Sequence, residues 1–324
     1  ADEKLVPTEA MVQYYTRRAG AGLIISEATI IRPDGQGYPN TPGLFSAEQV
    51  QGWRKVTDAV HQAGGKIFAQ LWHVGRVAHP HFFGEGDVLA PSAIGIEGSV
   101  PRMRELTYQI PKAVTQDDIT QLVNDYAKAA ENAIEAGFDG VEIHGANGYL
   151  VHQFISTNVN LRTDQWGGSV AGRIKFAVEV AKAVSAKIGS SKVGIRVSPA
   201  NPFNSILEEG FEATYEALIK ELAKLDLAYL HFMENPMQNG LLTKVRTWWP
   251  NTLIVNTFVG EKVKGKVDLE YIESGVADLV SLGQLFISNP DLVERLKTDG
   301  PYNVADGSKF YGGDEKGYTD YPTL

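Results

Sequence analysis

The chain contains no cysteine in 324 residues. That absence excludes disulfides, thiolate zinc sites, cysteine-ligated iron–sulfur clusters and a cysteine nucleophile. No apolar run approaches the roughly 20 residues that cross a bilayer. Residues 1–20 are too charged and polar for a secretory leader, so the expected compartment is the cytoplasm. Basic residues are in deficit, with 30 Lys+Arg against 39 Asp+Glu and a formal charge of −9. A surface of that sign repels nucleic acid and anionic lipid, which leaves a small molecule as the expected partner; a monomer or homodimer is expected, a choice the sequence leaves open. Internal repeats and low-complexity tracts are also missing, so residues 1–324 read as one domain.

What is there is an alternation of apolar strands with amphipathic helices. Strand candidates are Leu23–Ala28, Lys66–Trp72, Asp139–His144, Lys192–Ser198, Leu227–Met233, Thr252–Thr257 and Ala277–Gly283. Near-continuous apolar strands separated by helices indicate a parallel sheet covered on both faces. Ser46–Gln49 and Thr115–Asp118 form helix-opening capping patterns, and Pro290 suits the first position of the last helix. A helix, Thr8–Ala19, precedes the first strand, and Thr29–Pro33 after that strand is no dinucleotide-binding glycine loop. The pattern is that of an α/β (βα)8 TIM barrel whose first strand is missing from this chain. Residues 73–114 form a long insertion after the third barrel strand, expected to act as a lid.

Chemistry in such a barrel sits at the C-terminal ends of the strands. Alternation puts Gln70 with Trp72, Glu142 with His144, and Gly194 with Arg196 and Ser198 on inward faces, leaving Val141, Ile143, Ile195 and Val197 to face the helices. Inward polar residues point either to a polar ligand or to a self-satisfied internal network. No strand ends in the lysine a Schiff-base enzyme needs. Glu142 and Glu234 are the one obvious carboxylate pair for a glycosidase, and His73, His79 and His81 the one histidine cluster for zinc. There remains His144-Gly-Ala-Asn147-Gly-Tyr149, where an imidazole and an amide can polarise a carbonyl while a phenol delivers a proton. The bland alternative is an ordinary Asn-Gly turn.

Several stretches match one family in order. They are Gly22–Thr29, Gln70–Arg76, Ala90–Ile94, Gly137–His144, Arg162–Ser169, Val193–Pro199, Asn289–Leu292, Phe310–Gly313 and Gly317–Pro322. With them the chain resembles the Old Yellow Enzyme family of flavin-dependent ene-reductases, nearest its N-ethylmaleimide reductase and oxophytodienoate reductase branches. The resemblance implies FMN at the barrel mouth, NADPH or NADH as hydride donor, and reduction of the C=C bond of α,β-unsaturated carbonyl or nitro compounds. It assigns substrate-oxygen binding to His144 and Asn147, and protonation to Tyr149. Cofactor contacts fall to Ala28, Gln70, His144, Arg196, Asn256, Gly283 and Gln284, and substrate contacts to Tyr38, Trp72 and Tyr311. No metal is implied, and the missing cysteines mark the FMN-only branch.

Two positions depart from the family pattern. Asn256 stands where a glycine approaches the phosphate, and Gln284 where an arginine commonly binds it. Losing a charge-assisted contact costs about 1.5–3 kcal/mol. Lys262, Lys264 and Lys266 are either a replacement charge or a solvated run. The alternative these departures suggest is a degenerate barrel that binds a small molecule or partner without flavin turnover.

Overall fold

A computed structural model describes residues 1–258, 265–311 and 315–324. Lys262, Lys264 and the glycines Gly312 and Gly313 of the Phe310 motif lie outside the described residues.

After helix α1 (Glu9–Thr16), the strands that build the sheet are β1 (Ile24–Ile30), β2 (Ile67–Trp72), β5 (Gly140–Gly145), β6 (Val193–Val197), β7 (Tyr229–Met233), β8 (Thr252–Asn256) and β9 (Leu279–Val280). The two intervening short strands, β3 (Leu89–Ala90) and β4 (Lys112–Ala113), pair with each other. The seven sheet strands follow chain order and every pair is parallel, as successive right-handed βα units require. Among the described residues β1 and β9 each pair on one side, which agrees with a barrel sheet one strand short.

Between the strands run α2 (Ala47–Gln62), α3 (Gln116–Glu135), α4 (Leu150–Ile155), α5 (Val170–Ile188), α6 (Phe211–Ala223) and α7 (Leu241–Trp248). Both capping boxes form: the Gln49 N–H donates to Ser46 Oγ at 3.2 Å and the Asp118 N–H to Thr115 Oγ1 at 3.1 Å. Val141, Ile143, Ile195 and Val197 are fully buried against helix residues such as Ala133, Phe176 and Ala177. The opposite phase is therefore committed to the barrel interior, where small and large side chains alternate. A Cβ on Gly194 would lie 2.2 Å from the Tyr229 ring, and one on Gly140 would lie 2.5 Å from the Phe68 ring. These glycines make room for aromatic rings within the barrel.

Residues 73–114 are tied down rather than extended. Lys112 and Val114 donate to the Val88 and Ala90 carbonyls, and Val74, Val77, Ala78 and Val88 bury beside Trp72 and Tyr149. The expectation for Pro290 is corrected. It lies just before Asp291, the N-cap of the helix Leu292–Thr298, and not inside that helix. The residue before proline is driven out of helical geometry, and Asn289 sits at φ −128°, ψ 86°, outside the helical region, which separates the preceding helix Gln284–Ser288 from it.

Candidate functional site

The site is assembled at the upper ends of β2, β5 and β6, whose register sets Gln70 beside Glu142 and His144 beside Arg196. Chain continues from β5 into a tight turn. Asn147 and Gly148 have φ of +57° and +72°, a left-handed region that glycine enters freely and asparagine tolerates. A Cβ at Gly148 would lie 2.6 Å from the Phe203 carbonyl oxygen, so no larger residue fits.

The turn is held from every side. The Asn147 N–H donates to Ser198 Oγ at 2.8 Å and its carbonyl accepts from Asn204 Nδ2 at 2.8 Å. Gln153 Nε2 donates to Gly148 O at 2.8 Å, and the Gly148 N–H donates to His152 Nδ1 at 3.0 Å. His152 is fully buried and its Nε2 lies 3.2 Å from Glu208 Oε2, joining the turn to the loop after β6.

Orientation of the polar tips follows from these contacts. His144, 4% exposed, accepts from the Ala146 N–H at Nδ1 (3.3 Å), which puts the ring proton on Nε2. Burial, and then the neighbouring Arg196 charge, push its pKa down to about 3, so the imidazole is neutral. Asn147 Oδ1 accepts from Asn201 Nδ2 at 3.3 Å, which turns its own NH2 away, without an acceptor among the described residues. Tyr149 is 8% exposed, its ring edge-on to Trp72 (4.9 Å) and to His144 (5.2 Å). Its hydroxyl is 3.1 Å from that of Tyr38, whose ring stacks on Trp72 at 5.7 Å. Burial raises the Tyr149 pKa to about 12, so the phenol holds its proton.

His144, Asn147, Tyr149, Tyr38 and Trp72 are thus one cluster. Tyr311 is apart from these ring contacts, 74% exposed, with its carbonyl held by Arg102. Ala28 pairs with Gln70 across β1 and β2. Arg196 Nη2 donates to Asn256 Oδ1 at 3.1 Å, and Asn256 Nδ2 donates to the Ser281 carbonyl at 3.1 Å. Both ends of the Asn256 amide are therefore committed within the protein. Gly283 and Gln284 are exposed at the end of β9, and a Cβ on Gly283 would meet nothing within 4 Å.

Two sequence alternatives fail here. Glu142 is fully buried, with Oε1 accepting from Gln70 Nε2 (2.7 Å) and Oε2 from His231 Nδ1 (2.9 Å). A carboxylate so enclosed cannot attack or protonate a glycoside. Glu234 instead accepts from Tyr271 Oη at 2.7 Å. Among the described residues no three His, Cys, Asp or Glu side chains converge as metal ligands; His79 faces the Thr107 carbonyl instead.

The site also holds residues absent from the sequence reading. Asn201, Asn204 and Glu208 act through the segment after β6 and His152 from the short helix α4, where no periodicity announces a partner. His231 was legible, since it shares the inward phase of β7 with Tyr229. Glu234, one residue past the strand, is legible as a carboxylate at the tip of β7.

The residues fit a flavin by an observation independent of any likeness. Buried Arg196 Nε and Trp72 Nε1 have no hydrogen-bond partner among the described residues, although buried donors are normally paired. The Gln70 carbonyl oxygen is likewise left as an acceptor when its NH2 is on Glu142.

Comparison with known proteins decides the family. The model of the NADH:flavin oxidoreductase / NADH oxidase family matches residues 1–303. The chain belongs to that family. It is 42% identical to a probable flavin mononucleotide-dependent alkene reductase of Leishmania infantum, across 100% of this chain and 90% of that protein. The structure of the old yellow enzyme homologue from Zymomonas mobilis superposes with a TM-score of 0.94 at 39% identity, covering 100% of this chain and 92% of that one. Morphinone reductase in complex with tetrahydroNAD superposes at 0.92 with 41% identity, covering 98% and 89%. These neighbours make the seven-stranded sheet a TIM barrel of the old yellow enzyme type. Among the described residues no helix is long and apolar enough to cross a membrane.

Proposed function

We propose that this family member is an FMN-dependent NAD(P)H ene-reductase acting on α,β-unsaturated carbonyl compounds and nitroalkenes. The observation that carries the reading is the paired orientation of His144 and Asn147, each presenting an N–H while its other polar atom is engaged by Ala146 or Asn201. Two fixed donors draw charge onto a carbonyl or nitro oxygen and make the β-carbon electrophilic. FMN, when bound, supplies the hydride that this carbon accepts, having taken it from the nicotinamide. As the hydride adds, the π pair moves to the α-carbon, and the Tyr149 O–H gives its proton there. The resulting phenolate is held by the Tyr38 hydroxyl until solvent returns the proton. Gln70 and Arg196 would hold the pyrimidine edge, with Ala28 leaving room beside them. Asn256 would act by aiming Arg196, and Gly283 and Gln284 would border the phosphate. Trp72, Tyr38 and, from the rim, Tyr311 would enclose the substrate.

The purified protein should bind FMN with a shifted flavin spectrum, be bleached by NADPH or NADH under argon, and regain its colour when an enone is added. Protein that stays colourless after incubation with FMN refutes the reading and favours a barrel that binds ligands without flavin.

A further inference from the structure

The chemistry just proposed leaves a buried polar network without a role. Glu142 lies in the middle of β5, fully buried, and receives Gln70 from β2 and His231 from β7. The Tyr229 hydroxyl from β7 is buried in the same surroundings, with no hydrogen-bond partner among the described residues. His231 is buried too, and its Nε2 lies 2.8 Å from Ser281 Oγ. With Nδ1–H given to Glu142, Nε2 is an acceptor for that hydroxyl, so a neutral imidazole satisfies both neighbours. Burial lowers the His231 pKa against the pull of Glu142 and keeps it neutral. Burial also opposes ionisation of Glu142, but the His231 N–H, the Arg196 charge and the Gln70 amide together hold it below the ordinary carboxylate range. Arg196 sits between His144 and His231 in the register, and no carboxylate lies within ion-pairing distance of it among the described residues. The negative charge nearest in its environment is Glu142.

We infer that Glu142 is a positioning residue for the flavin: its carboxylate turns the Gln70 carbonyl toward an imide N–H, and its charge offsets Arg196. The inference rests on the FMN reading and extends it from binding to redox tuning. An anionic reduced flavin beside Arg196 is stabilised by that cation and destabilised by Glu142. Glu142 therefore keeps the two oxidation states closer in affinity than Arg196 alone would.

Glu142→Gln tests this, because the amide can keep every hydrogen bond if His231 moves its proton to Nε2, while the charge is lost. The measurements are the FMN dissociation constant and the midpoint potential of the bound flavin. Reduced flavin should gain roughly tenfold over oxidised, a positive shift of about 30 mV for a two-electron couple. Glu142→Asp, which keeps the charge, should return most of the shift. Should Glu142→Gln fail to fold, His231→Leu serves instead. It removes one donor that keeps Glu142 ionised, with Gln70, Tyr229, Arg196 and His144 still facing it. Its potential should match wild type at alkaline pH and become more positive than wild type on acidification. A yellow wild type with no shift in Glu142→Gln, a shift of the opposite sign, or no pH-dependent gap in His231→Leu overturns the inference alone. A colourless wild type overturns the flavin reading, and this inference with it.

Discussion

Replacing Tyr149 by phenylalanine separates the chemistry from the architecture. The phenyl ring keeps its edge-on contacts with Trp72 and His144 and its place ahead of α4. What is lost is polar: the contact to Tyr38 Oη at 3.1 Å and that to the Asn204 side chain. At about 0.5–1.5 kcal/mol for each hydrogen bond, the fold gives up about 1–3 kcal/mol. That lowers the melting temperature by several degrees without unfolding the protein. The kinetic cost is larger and falls on one step. A positioned general acid contributes about 10²–10⁴-fold, equivalent to roughly 2.7–5.5 kcal/mol of barrier. Stopped-flow absorbance can follow flavin reduction by NADPH and reoxidation by an enone in separate experiments. Tyr149→Phe should slow reoxidation by that factor and change reduction by no more than about twofold, a few tenths of a kcal/mol. Equal losses in both half-reactions would mean the hydroxyl only supports the site. No loss in either would mean the proton comes from elsewhere.

Asn201 offers a test of orientation. Asn201→Ala releases the Asn147 amide to rotate and should lower kcat/KM for an enone by about five- to tenfold, the worth of one hydrogen bond. Asn201→Asp replaces the donor by a carboxylate, which attracts the Asn147 NH2 away from the substrate, and it should be the worse variant in steady-state kinetics; equal effects would contradict the orienting role. The pH dependence of stability tests His144. In the unfolded chain this histidine takes up a proton below about 6.5, whereas in the folded protein it stays neutral down to about 3. The unfolded state therefore binds the extra proton across that window, and stability falls as pH drops through it by about 1.4 kcal/mol per unit from this residue. Urea unfolding from pH 7 to 4 should show a shallower slope in His144→Asn than in wild type. Matching slopes would show that His144 is protonated in the folded state as well.

The parts of the molecule that obey a period were readable in advance, and the parts that depend on long-range closure were not. Strands β1, β2 and β5 to β8 declare themselves through near-continuous apolar runs, because both faces are largely buried and an inward polar residue needs an internal partner. The same rule explains where the reading weakened. The β9 region shortens to Leu279–Val280, and Leu279 is 44% exposed, so the burial that makes a strand legible is absent there. His144, Asn147 and Tyr149 are legible because one turn carries all three, and backbone geometry fixes their proximity. The Asn201 contact spans 54 residues and the Glu142–His231 contact spans 89. Neither follows from local spacing. Yet the second pair illustrates what alternation alone can find, since both residues occupy the inward phase of their strands. Inward polar residues in a barrel of this register can be paired across strands before any coordinates exist. Gln70 faces Glu142 because their Cα atoms are register partners, and His231 reaches Glu142 diagonally across β6 from its place opposite Arg196. Gly194, register partner of both Glu142 and Tyr229, clears the space that the Tyr229 ring fills beside the carboxylate. The missing side chain at Gly194 thus seats an aromatic ring against the proposed flavin-tuning network, where any Cβ would displace it.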